Sequence, residues 1–216
     1  MTMLAVLDYG IGNLRSAQKA LEHVGADARL TADHDEIAAA AGVVLPGVGN
    51  FGRCMAALDA AGLRDVALAA ATDAASGDGR PFLGVCVGMQ MLFDGSDESP
   101  EVPGLGVLPG QVRLLPDTVK RPQMQWNVLR WTGSDGSSSI GSVRPMAAGQ
   151  PDPCWMYFVH SYWADAAAGD IAATCEYGVD AVAAVQRGRL WATQFHPEKS
   201  ANNGLHLLEN FVTACA

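Results

Sequence analysis

Apolar residues at the start of the chain come in short unbroken runs that alternate with amphipathic stretches. Met3-Leu-Ala-Val-Leu7 reads as a buried strand, and the Gly10 to Asn13 loop leads into a helix whose Leu14, Ala17, Leu21 and Val24 share one face before Gly25 closes it. The unit then recurs. Val43 to Leu45 is a short apolar strand ahead of Pro46-Gly47, followed by an Ala-rich helical stretch from Arg53 to Ala60, and Pro81 to Val85 is another strand, followed by helical Met89 to Phe93. Such alternation predicts an α/β fold with a parallel sheet covered on both faces.

After Pro100 the pattern changes to short strands rich in Val, Trp and Tyr: Leu105 to Leu115, Trp155 to Val159, Ile171 to Cys175, Ala181 to Gln186 and Leu190 to Phe195. Their spacing suggests antiparallel hairpins, with Arg187-Gly188 as one tight turn. Gly133 to Ser139 reads as a polar, low-complexity, mobile loop too short to mark a domain boundary, so one domain over residues 1–216 is expected.

Composition narrows the function. A hydrophobic content of 49% suffices for a core without staples, and a net charge of -9 with no basic stripe argues against a nucleic-acid partner. Cys54, Cys86, Cys154, Cys175 and Cys215 are odd in number and lack CxxC spacing, so neither a disulfide framework nor a zinc site is expected. With no signal-like start and no apolar run of membrane-spanning length, a soluble cytoplasmic protein follows.

Gly84-Val85-Cys86-Val87-Gly88 places a cysteine between glycines at a strand-to-helix junction, the pattern of a nucleophile elbow with Cys in place of Ser. The glycines relieve crowding at a sharp turn, a helix N-terminus beneath the sulfur would favour thiolate, and the Val87 N–H can face a developing oxyanion. Taken alone, GxCxG fits a buried thiol equally well. The balance tips at Gln194-Phe-His-Pro-Glu198. Alternation along an extended segment puts His196 and Glu198 on one side, where the carboxylate selects the tautomer that lets the ring take a proton from Cys86. Gly47-Val48-Gly49 can supply a second oxyanion N–H from Val48, although a plain glycine turn reads the same way. His160, at the end of an aromatic strand, is a competing base or a packing residue. Gly10-Ile-Gly12 lacks the third glycine of a dinucleotide fingerprint, since position 15 is Arg.

With these motifs in hand, the chain resembles the class I glutamine amidotransferases, specifically the glutaminase subunits of imidazole glycerol phosphate synthase. The resemblance runs through Asp8 to Ser16, Leu45 to Gly49, Leu83 to Gln90, Tyr157 to Tyr162 and Gln194 to Ser200. It implies a central mixed, mostly parallel sheet flanked by helices with added antiparallel strands. It further implies glutamine hydrolysis by Cys86, His196 and Glu198 without metal or organic cofactor. The ammonia would pass to a (β/α)8-barrel cyclase subunit that makes imidazole glycerol phosphate and AICAR in histidine biosynthesis. By the same matching, Gly49, Gln90, Glu98, Ser161 and Tyr162 should surround glutamine, with Ser161 and Tyr162 acting through their backbone. Because freely released ammonia would be wasted, the cyclase should cover the mouth of the site, with Asn13, Trp126 and Lys199 facing it, although a core aromatic reads equally well for Trp126. The chain departs from the family where Pro-His-Met-Gly-Trp-Asn is usual and Pro122-Gln-Met-Gln-Trp-Asn127 stands instead. Gln123 and Gln125 thus alter the expected partner-facing surface, Gln125 by replacing a glycine.

Overall fold

The computed structural model describes residues 1–132 and 145–216; the Gly133 to Ser139 loop lies outside them. The first half builds β1 (Met3–Leu7), α1 (Leu14–His23), β2 (Asp27–Thr31), α2 (His34–Ala39), β3 (Gly42–Gly47), α3 (Phe51–Ala60), α4 (Arg64–Ser76), β4 (Phe82–Cys86) and the single turn α5 (Val87–Gln90). The second half adds β5 (Gly95–Ser96), β6 (Gly110–Leu114), β7 (Gln123–Trp131), β8 (Cys154–His160), β9 (Tyr162–Ala166), β10 (Ile171–Glu176), β11 (Asp180–Arg187), β12 (Leu190–Thr193) and α6 (Ala201–Ala214).

The main sheet runs β2-β1-β3-β4-β12-β11-β10-β7-β8. Pairing is parallel from β2 through β12, with Leu4 opposite Gly42, Pro46 opposite Val85 and Gly84 opposite Ala192, and antiparallel from β12 onward. β12, near the C-terminus, therefore docks beside β4. This one pairing sets the ends of β4 and β12 next to each other, and with them the two catalytic-type motifs. The inner parallel strands β1, β3 and β4 are apolar and almost wholly buried, as strands covered on both faces must be, whereas β2 at the end of the row carries Asp27 and Arg29 and is only partly buried.

Helix α4 lies close because its buried residues are Ala67, Ala70, Ala71 and Ala74, with no bulk to hold it off. On α6, buried Leu207, Leu208 and Phe211 form the packing stripe, and the Phe211 ring meets Trp191 of β12 edge-on at 5.7 Å.

Several expectations need correction. Leu105 to Leu115 is a strand only over Gly110–Leu114, because the preceding backbone bonds back to the turn after α5, with Leu105 N donating to Met91 O and Leu108 N to Leu92 O. The helix expected at Met89 to Phe93 is the single turn Val87–Gln90, which begins directly after Cys86. Phe195 lies beyond β12, which ends at Thr193. The hairpin at Arg187-Gly188 is present, with Arg187 paired to Leu190 and Gly188 at φ +54°.

Candidate active site

β4, an interior strand, delivers Cys86 at its C-terminal end with φ 57° and ψ -113°, a conformation that costs a non-glycine residue about 1–3 kcal/mol. Close packing behind the elbow holds it there. A Cβ on Gly88 would lie 1.8 Å from Leu45 O, and one on Gly47 would lie 2.7 Å from Gly88 N, so β3 and the elbow touch backbone to backbone. The glycines meet the crowding that the GxCxG pattern anticipates. α5 is one turn long, which leaves the helix-dipole support for a thiolate smaller than a full helix would give.

His196 comes from the segment after β12. Its N–H donates to Tyr157 O at 3.0 Å, while Ser200 Oγ donates to His196 O at 2.7 Å and accepts from Tyr157 N at 2.9 Å. The serine of the Lys199-Ser200 continuation thus clasps the histidine segment to β8. Pro197–Lys199 forms a 3-10 turn, so His196 and Glu198 meet around a turn rather than by alternation along a strand. His196 Nδ1 and Glu198 Oε1 are 2.8 Å apart, and both side chains are almost fully buried. The opposite ring nitrogen, Nε2, is buried and makes no hydrogen bond with the described residues. Burial works against a charged ring, but the Cys86 sulfur and the Glu198 carboxylate outweigh it and push His196 up to about 10. A ring so placed holds a proton in reach of Cys86 and of whatever Cys86 attacks.

These groups open on a cavity of about 380 Å³. Cys86, Val87, Val48, Gly49, Gln90, Glu98, Ser161, Tyr162 and His196 line it, as do Asn13 and Lys199; Glu198 stands behind His196, and Trp126 lies outside it. Glu98 has a structural task as well: its Oε2 accepts from Phe51 N at 2.6 Å, capping α3 with Asn50, whose Oδ1 accepts from Arg53 N.

His160 also borders the cavity, but both ring nitrogens are engaged. Nδ1 lies 2.8 Å from Tyr162 O and Nε2 lies 2.9 Å from the Gln123 side-chain amide. Burial pulls its pKa down to about 4, so the ring is neutral near pH 7; with Nδ1 donating to Tyr162 O, Nε2 accepts from the Gln123 amide once its O and N are exchanged, which also gives the buried Gln123 nitrogen a partner. His160 is therefore a fixed support for the 160–162 turn and not a free base. Gln123 is buried as its partner, whereas Gln125 is exposed on β7 at negative φ, so replacing a glycine there incurs no backbone strain.

Gln194 was legible only as part of a motif, and the structure gives it a place. Fully buried, its Nε2 points to Cys86 Sγ at 3.8 Å while its Oε1 accepts from Gln90 Nε2 at 3.0 Å; Gln90 Nε2 also reaches Tyr162 O at 3.2 Å. Its position two residues before His196 is the signal that could have found it. A side-chain N–H near the sulfur strengthens as the sulfur becomes anionic. Gln194→Met should accordingly lower kcat for glutamine hydrolysis about tenfold with the fold retained; steady-state kinetics with unchanged kcat would remove Gln194 from the machinery.

A strained cysteine elbow, a carboxylate-backed histidine and a half-open pocket at the parallel strand ends define a cysteine-dependent amide hydrolase. The family model for class I glutamine amidotransferases matches residues 5–215. Within that class, the chain belongs to the family of imidazole glycerol phosphate synthase subunit HisH. It is 47% identical over 230 residues to that subunit of Dechloromonas aromatica, covering 97% of this chain and 95% of the relative, and 41% identical over 218 residues to that of Methanosarcina mazei, covering all of both. A crystal structure of a glutamine amidotransferase superposes with a TM-score of 0.70 at 20% identity, covering 98% of each chain, which bears on the fold alone.

Proposed function

We propose that this chain, acting as one domain over residues 1–216, hydrolyses glutamine to glutamate and ammonia in the cytoplasm. It works as the glutamine amidotransferase subunit of imidazole glycerol phosphate synthase, in histidine biosynthesis. The observation that carries the reading is His196, held by Glu198 on one nitrogen and left unbonded on the other, in the pocket that Cys86 lines. Cys86 attacks the side-chain amide carbon of glutamine, and His196 passes its proton to the departing nitrogen, releasing ammonia and a γ-glutamyl thioester. A water deprotonated by His196 then opens the thioester, and the proton returns to the sulfur. The backbone N–H groups of Val87 and Val48 are assigned to the oxyanion, and Gly49, Gln90, Glu98, Ser161 and Tyr162 to the bound glutamine. No helix of the described residues is long and apolar enough to cross a membrane.

The ammonia goes to the cyclase subunit. Support for the docking face comes from β7 and β8: the register Met124–Val159, Trp126–Tyr157 and Val128–Trp155 sets these six side chains on one side of the ribbon. Met124, Trp126 and Trp155 are 62%, 44% and 46% exposed, and Val159 on the same side borders the cavity. An apolar strip running out from an active-site mouth suits a partner that seals it. Trp126 touches Tyr157 edge-on at 6.1 Å and is not a core residue. Trp126→Ala should leave the isolated subunit's Tm within a few degrees yet weaken the complex by about 2 kcal/mol or more, read by titration calorimetry. Wild-type affinity in that variant would move the docking face elsewhere. The function itself is tested by assaying glutamine hydrolysis with and without the cyclase and its ribonucleotide substrate.

A further inference from the structure

Two buried side chains that take no part in the mechanism grip the loop carrying Gly49. Tyr9, two residues past the end of β1, donates its hydroxyl to Pro46 O at 2.5 Å, and Cys54, on α3, donates its thiol to Val48 O at 3.4 Å. Both side chains are buried, Cys54 completely, and they neighbour one another. The loop between these two carbonyls is the one whose Val48 and Gly49 line the cavity beside Cys86.

We infer that Tyr9 and Cys54 are positioning residues for glutamine turnover, a two-point clamp that orients the Gly47 to Gly49 backbone towards the substrate. The reasoning is geometric. In a trans peptide the N–H lies opposite the preceding C=O. Because the Val48 carbonyl is turned inward to Cys54, the Gly49 N–H must point the other way, out of the core and towards the cavity that Gly49 borders. Gly49 sits at φ +98°, with nothing within 4 Å of where a Cβ would be, so its own side offers no contact to hold that plane. The bond to Val48 O does so instead, while the bond to Pro46 O holds the peptide that enters Gly47. Burial, the largest influence on both groups, keeps them protonated as donors: Tyr9 is raised well above its ordinary value, with Cys54 and Cys86 adding to the effect, and Cys54 is pushed up to about 11. Neither residue belongs to the Cys-His-Glu set, and neither borders the pocket.

This inference rests on the glutaminase reading, and the test separates the two. Cys54→Ala removes the donor, whereas Cys54→Ser keeps one. In the assembled synthase, kcat/KM for glutamine should fall on the order of three- to tenfold in Cys54→Ala, and Cys54→Ser should recover at least half of the wild-type value. Synthesis from added ammonium salts should be unchanged in both. Tyr9→Phe, which conserves shape, should lose a similar factor and provides the reading if the Cys54 variants fold poorly. A packing role gives the opposite order, with the apolar Ala outperforming the polar Ser, and that order would overturn the clamp. So would Ala and Phe variants with wild-type kcat/KM. Wild-type complex that turns over no glutamine would instead remove the function on which the clamp depends.

Discussion

Cys86→Ala should abolish glutamine-dependent synthesis by the assembled complex, a loss on the order of 10³-fold or more, while synthesis from ammonium salts should stay near the wild-type rate. The size of the effect follows from the site. Among the described residues all five cysteines are free, but Cys86 alone of them borders the cavity and sits in the strained conformation that turns its side chain out of the sheet. Cys154, Cys175 and Cys215 are buried away from it, and burial holds their thiols protonated, at about 11 for Cys154 and about 12 for the other two. The substitution also relieves backbone strain only in part, because Ala shares the Cβ that makes positive φ costly. Retained glutamine hydrolysis in this variant would sink the assignment of the nucleophile. An electrophilic glutamine analogue should label Cys86 and none of the other four, as peptide mass spectrometry can read.

Glu198→Gln should lower kcat by about 10²-fold, less than Cys86→Ala, with the fold intact. The amide keeps a contact to Nδ1, but it no longer stabilises the cationic ring or selects one tautomer. A pH series adds a second reading. His196 has a folded pKa of about 10, above its ordinary 6.5, so the stability contributed by the charged ring is fully present below about pH 6.5 and is lost as pH rises through about 10. Glu198 supplies part of that shift. The Tm difference between wild type and Glu198→Gln should therefore drift in the variant's favour as pH rises from 6.5 to 10. A flat difference across that window, with unchanged kcat, would show that another group orients His196.

The local chemistry was largely legible along the chain. The glycines around Cys86 and the spacing of His196 and Glu198 are short-range features, and the crowding that makes a side chain at Gly88 impossible arises where a strand meets a turn. The parallel half was readable because strands covered on both faces must be apolar throughout. β2, α2, α4, β5, β7, β9 and α6 were not read. Asp27–Thr31 carries charge in its alternation, and α4 is so rich in alanine that no apolar stripe stands out.

By itself the sequence determined the class of fold and the family, and it singled out Cys86, His196 and Glu198 as candidates for nucleophile, base and acid, since these readings depend on neighbouring residues and on backbone preference. Only the tertiary structure decided what stands between distant segments. The pairing of β12 beside β4 joins residues 86 and 196, and the 3-10 turn at Pro197 brings Glu198 round to His196. Capture of both nitrogens of His160 removes it as a rival base, and the meeting of Gln194, Gln90 and Cys86 spans 108 residues of chain. Such contacts have no signature in local periodicity. They come from strand order and from the requirement that each buried polar group find a partner, and both are settled only when the whole chain has packed.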